Sequence, residues 1–259
     1  MPYHYSPYYS DHNGFLKVKE EQIAINKNNM NCTTCKNTEC PIFKFCPPEQ
    51  RALANKNKTN LIIKKNHQLI HESTEVQGIY FIYSGKVKVY KEGIVDHSSS
   101  QIIRLAKSGQ VLGHRGFGHK LEYSISADTL EACGICFFNN DFYFNFLKTN
   151  PDLIFHFLMF YADELKTIEA RLRNMAQLSA KAKVADALQM ILTSFGIDSK
   201  NILKGSLSRV DISEIAGLSH GETIRILSNL EEENIIKKIG MGIKIENLNK
   251  LKKIATSYH

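Results

Sequence analysis

"LSRVDISEIAGLSHGETIRILSNLEEENIIKKIGMGIKIEN", residues 207–247, holds two short amphipathic runs parted by a glycine and followed by an alternating run. Ser208 is placed to cap a first helix that continues through Ala216, with Ile212 and Ile215 inward. Gly217 supplies the tight turn to the next helix. Ser219 caps that second helix, and Glu222 three residues on gives it a capping-box pattern. Ile224, Leu227 and Leu230 are expected on its inner face, and His220, Gly221, Thr223 and Arg225 on the solvent face of its first turns. "NIIKKIGMGIKIEN" then predicts a β-hairpin turning at Gly240–Gly242, a wing carrying Lys237, Lys238 and Lys244. A helix fits the major groove, and the side chains at its N-terminus reach base edges there. Arginine reads guanine with two hydrogen bonds, which makes Arg225 the first candidate. The candidate DNA-binding set is Ser208, Arg209, Ser219, His220, Gly221, Thr223, Arg225, Lys237 and Lys238.

Upstream, "KAKVADALQMILTSFG" (181–196) reads as an amphipathic helix stopped at Gly196. Before it, "NPDLIFHFLMFYADELKTIEARLRNMAQLS" (150–179) reads as one long helix. Asn150 is placed to cap it, and Pro151 suits its first position. Ile154, Leu158, Tyr161, Leu165, Ile168, Leu172 and Met175 recur at spacings of 4, 3, 4, 3, 4 and 3. That narrow stripe, flanked by Glu164, Lys166, Glu169, Arg171 and Arg173, is the pattern of a parallel dimer seam rather than of a broad packing face.

Residues 61–137 show no helical period. Short apolar runs broken by glycine, among them "GIYFIYSGKVKVY" (78–90), predict the many short strands of a β-barrel or roll. The domain plan is therefore a tail at 1–30, a Cys-rich segment at 31–60, a β-roll at 61–149, a dimer helix at 150–180 and a winged helix-turn-helix at 181–259. The fold class is α+β.

The Cys-rich segment, "NCTTCKNTECPIFKFC" (31–46), is the second informative stretch. It spaces Cys32, Cys35, Cys40 and Cys46 as C-x2-C-x4-C-x5-C. The N-terminus lacks the apolar core of a signal peptide, and no stretch reaches the length of a membrane span, so a cytoplasmic location without membrane contact is expected. Lasting disulfides are rare in that compartment, and clustered cysteines there bind metal or do redox chemistry. Tight runs of four thiolates suit an iron–sulfur cluster, whereas structural zinc sites usually show two knuckles separated by a longer loop. Cys133 and Cys136, on an apolar strand, read first as core. The formal net charge of +7 gives mild support to a polyanionic partner but locates no face. No phosphate loop, H-E-x-x-H or G-x-S-x-G occurs, so no enzyme is expected.

"YFIYSGKVKV", "LKTNPDL" and "LSRVDISEIAGLSHGETIRILSNLEEENII" together resemble the Crp/Fnr family of bacterial transcription regulators over about residues 60–250. The resemblance implies a homodimer, a cyclic-nucleotide-binding-like β-roll, a long dimerisation helix, a C-terminal DNA-binding domain and RNA polymerase as a further partner. Arg225 matches the family's base-reading Arg and Ser219 its opening Ser/Thr. The usual operator-contacting Glu is replaced by Gly221, and Glu222 stands one residue later. In "VLGHRGFGHKLEYSIS" (111–126), His114 stands where the nucleotide-binding branch has its ribose-holding Glu, and Tyr123–Ser124 where it has the phosphate-holding Arg-Ser. That departure argues against cAMP and towards the Fnr branch, with its oxygen-labile [4Fe–4S] cluster. Cys136 falls where Fnr has its distant ligand. The Cys40-x5-Cys46-Pro spacing resembles Fnr's last pair, while Cys35-x4-Cys40 does not match its counterpart. Two ligand sets stay open, the four N-terminal cysteines or three of them with Cys136. The expected function is a regulator responding to oxygen, nitric oxide or redox state. The alternative is a Crp-like sensor of a nucleotide or haem whose cysteines bind zinc or no metal.

Overall fold

The computed structural model describes residues 30–93 and 100–256, so the expected N-terminal tail lies, except for Met30, outside the described residues. Among the described residues two short helices come first, α1 (Pro41–Phe45) and α2 (Pro48–Asn57). Each opens on a proline, whose fixed φ suits the first helical position. Sequence pattern did not announce them, because α1 is barely one turn and α2 is mostly polar.

Among the described residues eight strands follow: β1 (Thr59–Ile63), β2 (Gln68–Ile70), β3 (Gly78–Ser84), β4 (Lys86–Glu92), β5 (Ser100–Lys107), β6 (Val111–Leu112), β7 (Ser126–Thr129) and β8 (Cys133–Asn139). They form two four-stranded antiparallel sheets, ordered β1-β8-β3-β6 and β2-β7-β4-β5. Alternation on β4 sends Val87 and Val89 into the roll, where they pack with Ile82, Ala127, Cys133 and Ile135. Gly85, between β3 and β4, has φ +103, and a Cβ there would lie 2.4 Å from the Cys133 sulfur, so only glycine fits. The same period separates the two cysteines of β8. Cys133 faces the interior between the sheets, and Cys136, an odd number of positions away, faces Cys32, Ile42 and Phe81 on the roll's outer side.

α3 (Asn140–Lys148), another element the sequence pattern did not announce, is capped by Asn139, whose side chain accepts from the Phe142 N–H at 2.9 Å. The long helix α4 (Pro151–Gln177) begins after Asn150, which does not cap it as expected. Its amide donates backwards to the Phe146 carbonyl at 2.7 Å and sideways to Gln50 at 3.3 Å, tying α4 to α3 and α2. One face of α4 lies on its own roll through Leu153 and Phe157. Ile154, Leu158, Tyr161, Leu165, Ile168 and Leu172 of the heptad stripe remain exposed. Met175 is half-buried.

The C-terminal part contains α5 (Ala180–Phe195), α6 (Arg209–Ala216), α7 (His220–Glu232), the hairpin β9 (Ile236–Ile239) and β10 (Gly242–Ile245), and α8 (Leu248–Ala255). Their core includes Leu188, Ile212, Leu227, Leu230 and Ile236, together with Ile102, Leu105 and Leu130 from the roll. Polar contacts reinforce that docking. Lys88 on β4 meets Asp211 of α6 at 2.7 Å, and the Arg171 guanidinium on α4 donates to both Ile102 O (2.7 Å) and Ile215 O (2.9 Å). The whole is the expected α+β architecture: a β-roll, a long helix and a winged helix-turn-helix.

Candidate nucleic-acid interface and cysteine centre

The helix-turn-helix is built by its caps. The Asp211 N–H donates to Ser208 Oγ at 3.0 Å, and the Ser208 N–H donates to the Asp211 carboxylate at 2.7 Å, a complete capping box on α6. Burial pushes the Asp211 carboxyl up, but hydrogen bonds from Lys88 and Ser208 outweigh it and hold it below its ordinary value. Gly217 turns the chain at φ +65, and a Cβ there would lie 2.8 Å from the Met175 methyl. Ser219 accepts from the Glu222 N–H at 3.2 Å and so caps α7. The expected reciprocal half of that box is absent, and the nearest charged partner of Glu222 is Arg225, at 4.0 Å.

One further expectation needs correction, the facing of α7. Thr223 is wholly buried and Ile224 is 38% exposed, the reverse of the expected faces. The inner stripe of α7 is Thr223, Ile226, Leu227 and Leu230, at i, i+3, i+4 and i+7, so the helix is rotated slightly from the face first assigned. Arg209 is half-buried. Its guanidinium donates to Met241 O and Gly242 O, each at 3.1 Å, and so ties the start of α6 to the wing. Lys238 is held at 2.9 Å by Glu231 and donates to Ser228 at 3.1 Å, which anchors the wing to α7. Ser208 and Ser219 likewise serve as caps. Of the candidate set, Ser219, His220, Gly221 and Arg225 at the start of α7, and Lys237 on β9, stay on the open surface. The Arg225 side chain is 67% exposed, and the space over Gly221 is empty.

Cys32, Cys35, Cys40 and Cys136 line one cavity on the outer side of the roll, with Met30, Lys58, Phe81, Tyr83 and Phe138. Cys46 is buried beside it but does not line it. The Lys58 ammonium lies 3.8 Å from the Cys136 sulfur. Burial pushes the Cys40 thiol up to about 11, and the Cys35 and Cys32 thiols beside it push the same way. Burial raises Cys136 to about 12 against the pull of Lys58. Among the described residues, no three His, Cys, Asp or Glu side chains are gathered tightly enough to hold a single metal ion. The Cys-rich segment also touches the long helix, since Phe45 of α1 stacks on His156 of α4 with ring centroids 4.3 Å apart.

The stretch that resembles a nucleotide site holds something else. His114 is 2% exposed, and its Nε2 bonds the Glu164 carboxylate of α4 at 2.8 Å. Arg104 and Arg115 reach the same carboxylate at 3.2 and 3.0 Å. Tyr123 is buried, donating to Gly78 O at 2.9 Å, and Lys120 pairs with Glu122. Sequence reading missed Arg104 and Glu164, which no local pattern links across 60 residues.

The cyclic nucleotide-binding domain family matches residues 61–150, and the Crp-like helix-turn-helix domain family matches residues 182–254. The chain is 23% identical to the cAMP-activated global transcriptional regulator CRP of Salmonella typhimurium, over 68% of this chain and 84% of that protein. It is 25% identical to the transcriptional activatory protein AadR of Rhodopseudomonas palustris, over 68% of this chain and 73% of that one. Among solved structures, FixK2 of Bradyrhizobium japonicum superposes with a TM-score of 0.67 at 18% identity, covering 78% of this chain and 99% of FixK2. A Crp/Fnr-family regulator from Eubacterium rectale superposes at 0.69 with 14% identity, covering 85% of this chain and all of that one. The curated relatives named are transcription regulators, and neither matched family is catalytic.

Proposed function

The chain belongs to the Crp/Fnr family of DNA-binding transcription regulators, and on that premise we propose that it acts as a homodimer reporting oxygen, nitric oxide or redox state through a thiolate-held iron–sulfur cluster. The observation that carries the reading is the cavity lined jointly by Cys32, Cys35, Cys40 and Cys136. Four thiols on one cavity are the donor set that an iron–sulfur cluster takes. The ligand set proposed is therefore those four, with Cys46 packed alongside. When bound, a cluster would supply an oxygen- or nitric-oxide-labile crosslink between the N-terminal segment and β8. The chain's own part is to hold the four sulfurs, release their protons on binding, and exclude water with Met30, Phe81 and Phe138.

The order of the N-terminal segment then bears on α4 through the Phe45–His156 stack and the Asn150–Gln50 hydrogen bond. The exposed stripe from Ile154 to Leu172 faces a second copy, and RNA polymerase is the further partner. Two recognition helices would then meet half-sites one helical turn apart. The roll takes no cyclic nucleotide in this reading, because Arg104 and Arg115 are both engaged by the chain's own Glu164 carboxylate.

Anaerobic purification tests the cofactor. The protein is expected to be brown, with iron and sulfide in equal amounts, and to lose colour in air. Cys136→Ser is expected to abolish the colour and Cys133→Ser to keep it. A colourless protein, or unchanged DNA binding with Cys32, Cys35 and Cys40 all replaced, overturns the cluster while leaving the DNA-binding assignment intact.

A further inference from the structure

Arg104 on β5, and His114 and Arg115 in the turn after β6, converge from the roll on one point. At that point lies the carboxylate of Glu164, with Oε1 3.2 Å from Arg104 Nε, and Oε2 2.8 Å from His114 Nε2 and 3.0 Å from Arg115 Nε. Gly113, at φ +87, makes the turn that aims His114 inward. The Tyr161 hydroxyl, one helical turn before Glu164, donates to the His114 carbonyl at 2.8 Å. The Arg104 guanidinium lies over Phe160 and donates from Nη1 to Val111 O at 3.0 Å. Its Nη2 and the His114 Nδ1 are buried without a hydrogen-bond partner among the described residues.

Two guanidiniums and an imidazole gathered in a nearly dry place form an anion site, and leaving them without an anion would strand buried charge. Donors from three residues match a carboxylate, and the spare Arg104 nitrogen leaves the site with more donors than Glu164 uses. We propose that this is a carboxylate-binding site in the β-roll whose resident ligand is the chain's own Glu164, and that a small carboxylate from solution occupies it once Glu164 is removed. The site pins α4 to the roll at one rotation about its axis. Glu164 is directly followed by Leu165, so the latch decides where the exposed stripe points. The site shares no residue with the lining of the cysteine cavity.

Chemical rescue tests it on the full chain. Glu164→Ala is expected to lower the melting midpoint by roughly 6 °C or more, the scale of a broken buried ion pair in a chain this long. Acetate is expected to raise the midpoint again and to restore DNA affinity in parallel, while chloride at equal ionic strength does neither. Wild-type protein is expected to respond alike to both salts. The site is overturned if acetate and chloride act identically on Glu164→Ala, or if that variant melts with the wild type. Should Glu164→Ala fail to fold, Glu164→Gln keeps the volume and removes the charge. A lower midpoint for it supports the latch, and an unchanged midpoint overturns it. Metal content at the cysteines is expected to be the same in every variant.

Discussion

Leu165→Ala tests whether the exposed stripe of α4 meets a second copy. Leu165 is 58% exposed, so little of its side chain is held by its own protomer. Fully burying a leucine is worth about 1.5–3 kcal/mol, so covering the exposed half or so is worth about 1–1.5 kcal/mol per protomer. A two-fold seam counts the residue twice, which gives about 2–3 kcal/mol per dimer, or about a 30–150-fold weaker dimer. The protomer should be untouched, because the residue contributes little to its core. The assay is sedimentation over a dilution series, read beside a thermal melt under conditions where the chain is monomeric. A dimer constant changed by less than about threefold, with the monomer melt unaltered, would refute the seam.

Other variants separate contact from support in the DNA-binding part. Arg225→Ala is expected to cost about 1–3 kcal/mol on a cognate site and to relax preference at one base pair, whereas Lys237→Ala should weaken all sequences alike and reduce the salt slope by about 1. Competition gel shifts check both, and full retained specificity in Arg225→Ala would remove that residue from the reader set. Thr223→Val exchanges a buried hydroxyl, without a partner among the described residues, for a methyl, so it should leave DNA affinity unchanged and stability equal or up to about 1 kcal/mol higher. Lost affinity with normal stability would return Thr223 to the contact surface. Burial pushes the Glu164 carboxyl up, but the His114 hydrogen bond and the Arg104 charge outweigh it and hold it at about 2, below its ordinary 4.5. A carboxyl depressed in the fold stabilises above its unfolded value, so about 3 kcal/mol should be lost as pH falls from about 5 towards 2. Burial lowers His114, so its share of stability begins to fall near pH 6.5 as the unfolded ring takes a proton. Acid melts should show both steps in the wild type and lose the lower one in Glu164→Gln.

The features that rest on near neighbours in the chain were legible in the amino-acid order. Ser208, Gly217 and Ser219 specify the helix ends from positions one to three residues away, and the alternation around Gly85 specifies its strands. Such signals are local because a cap, a turn and a pleat each satisfy backbone groups within about four residues. The opposite facing of Cys133 and Cys136 was also present in the order, since three positions along a strand reverse the side. Only the tertiary structure decided which elements those faces meet. It gathered Cys136 with Cys32, Cys35 and Cys40, and it set Arg209 and Lys238 against the wing and α7. It also brought Glu164 to Arg104, 60 residues away. Period and propensity fix which side of an element is apolar, but a long-range partner is chosen by the competition of whole faces for burial, and no single stretch of sequence carries that outcome.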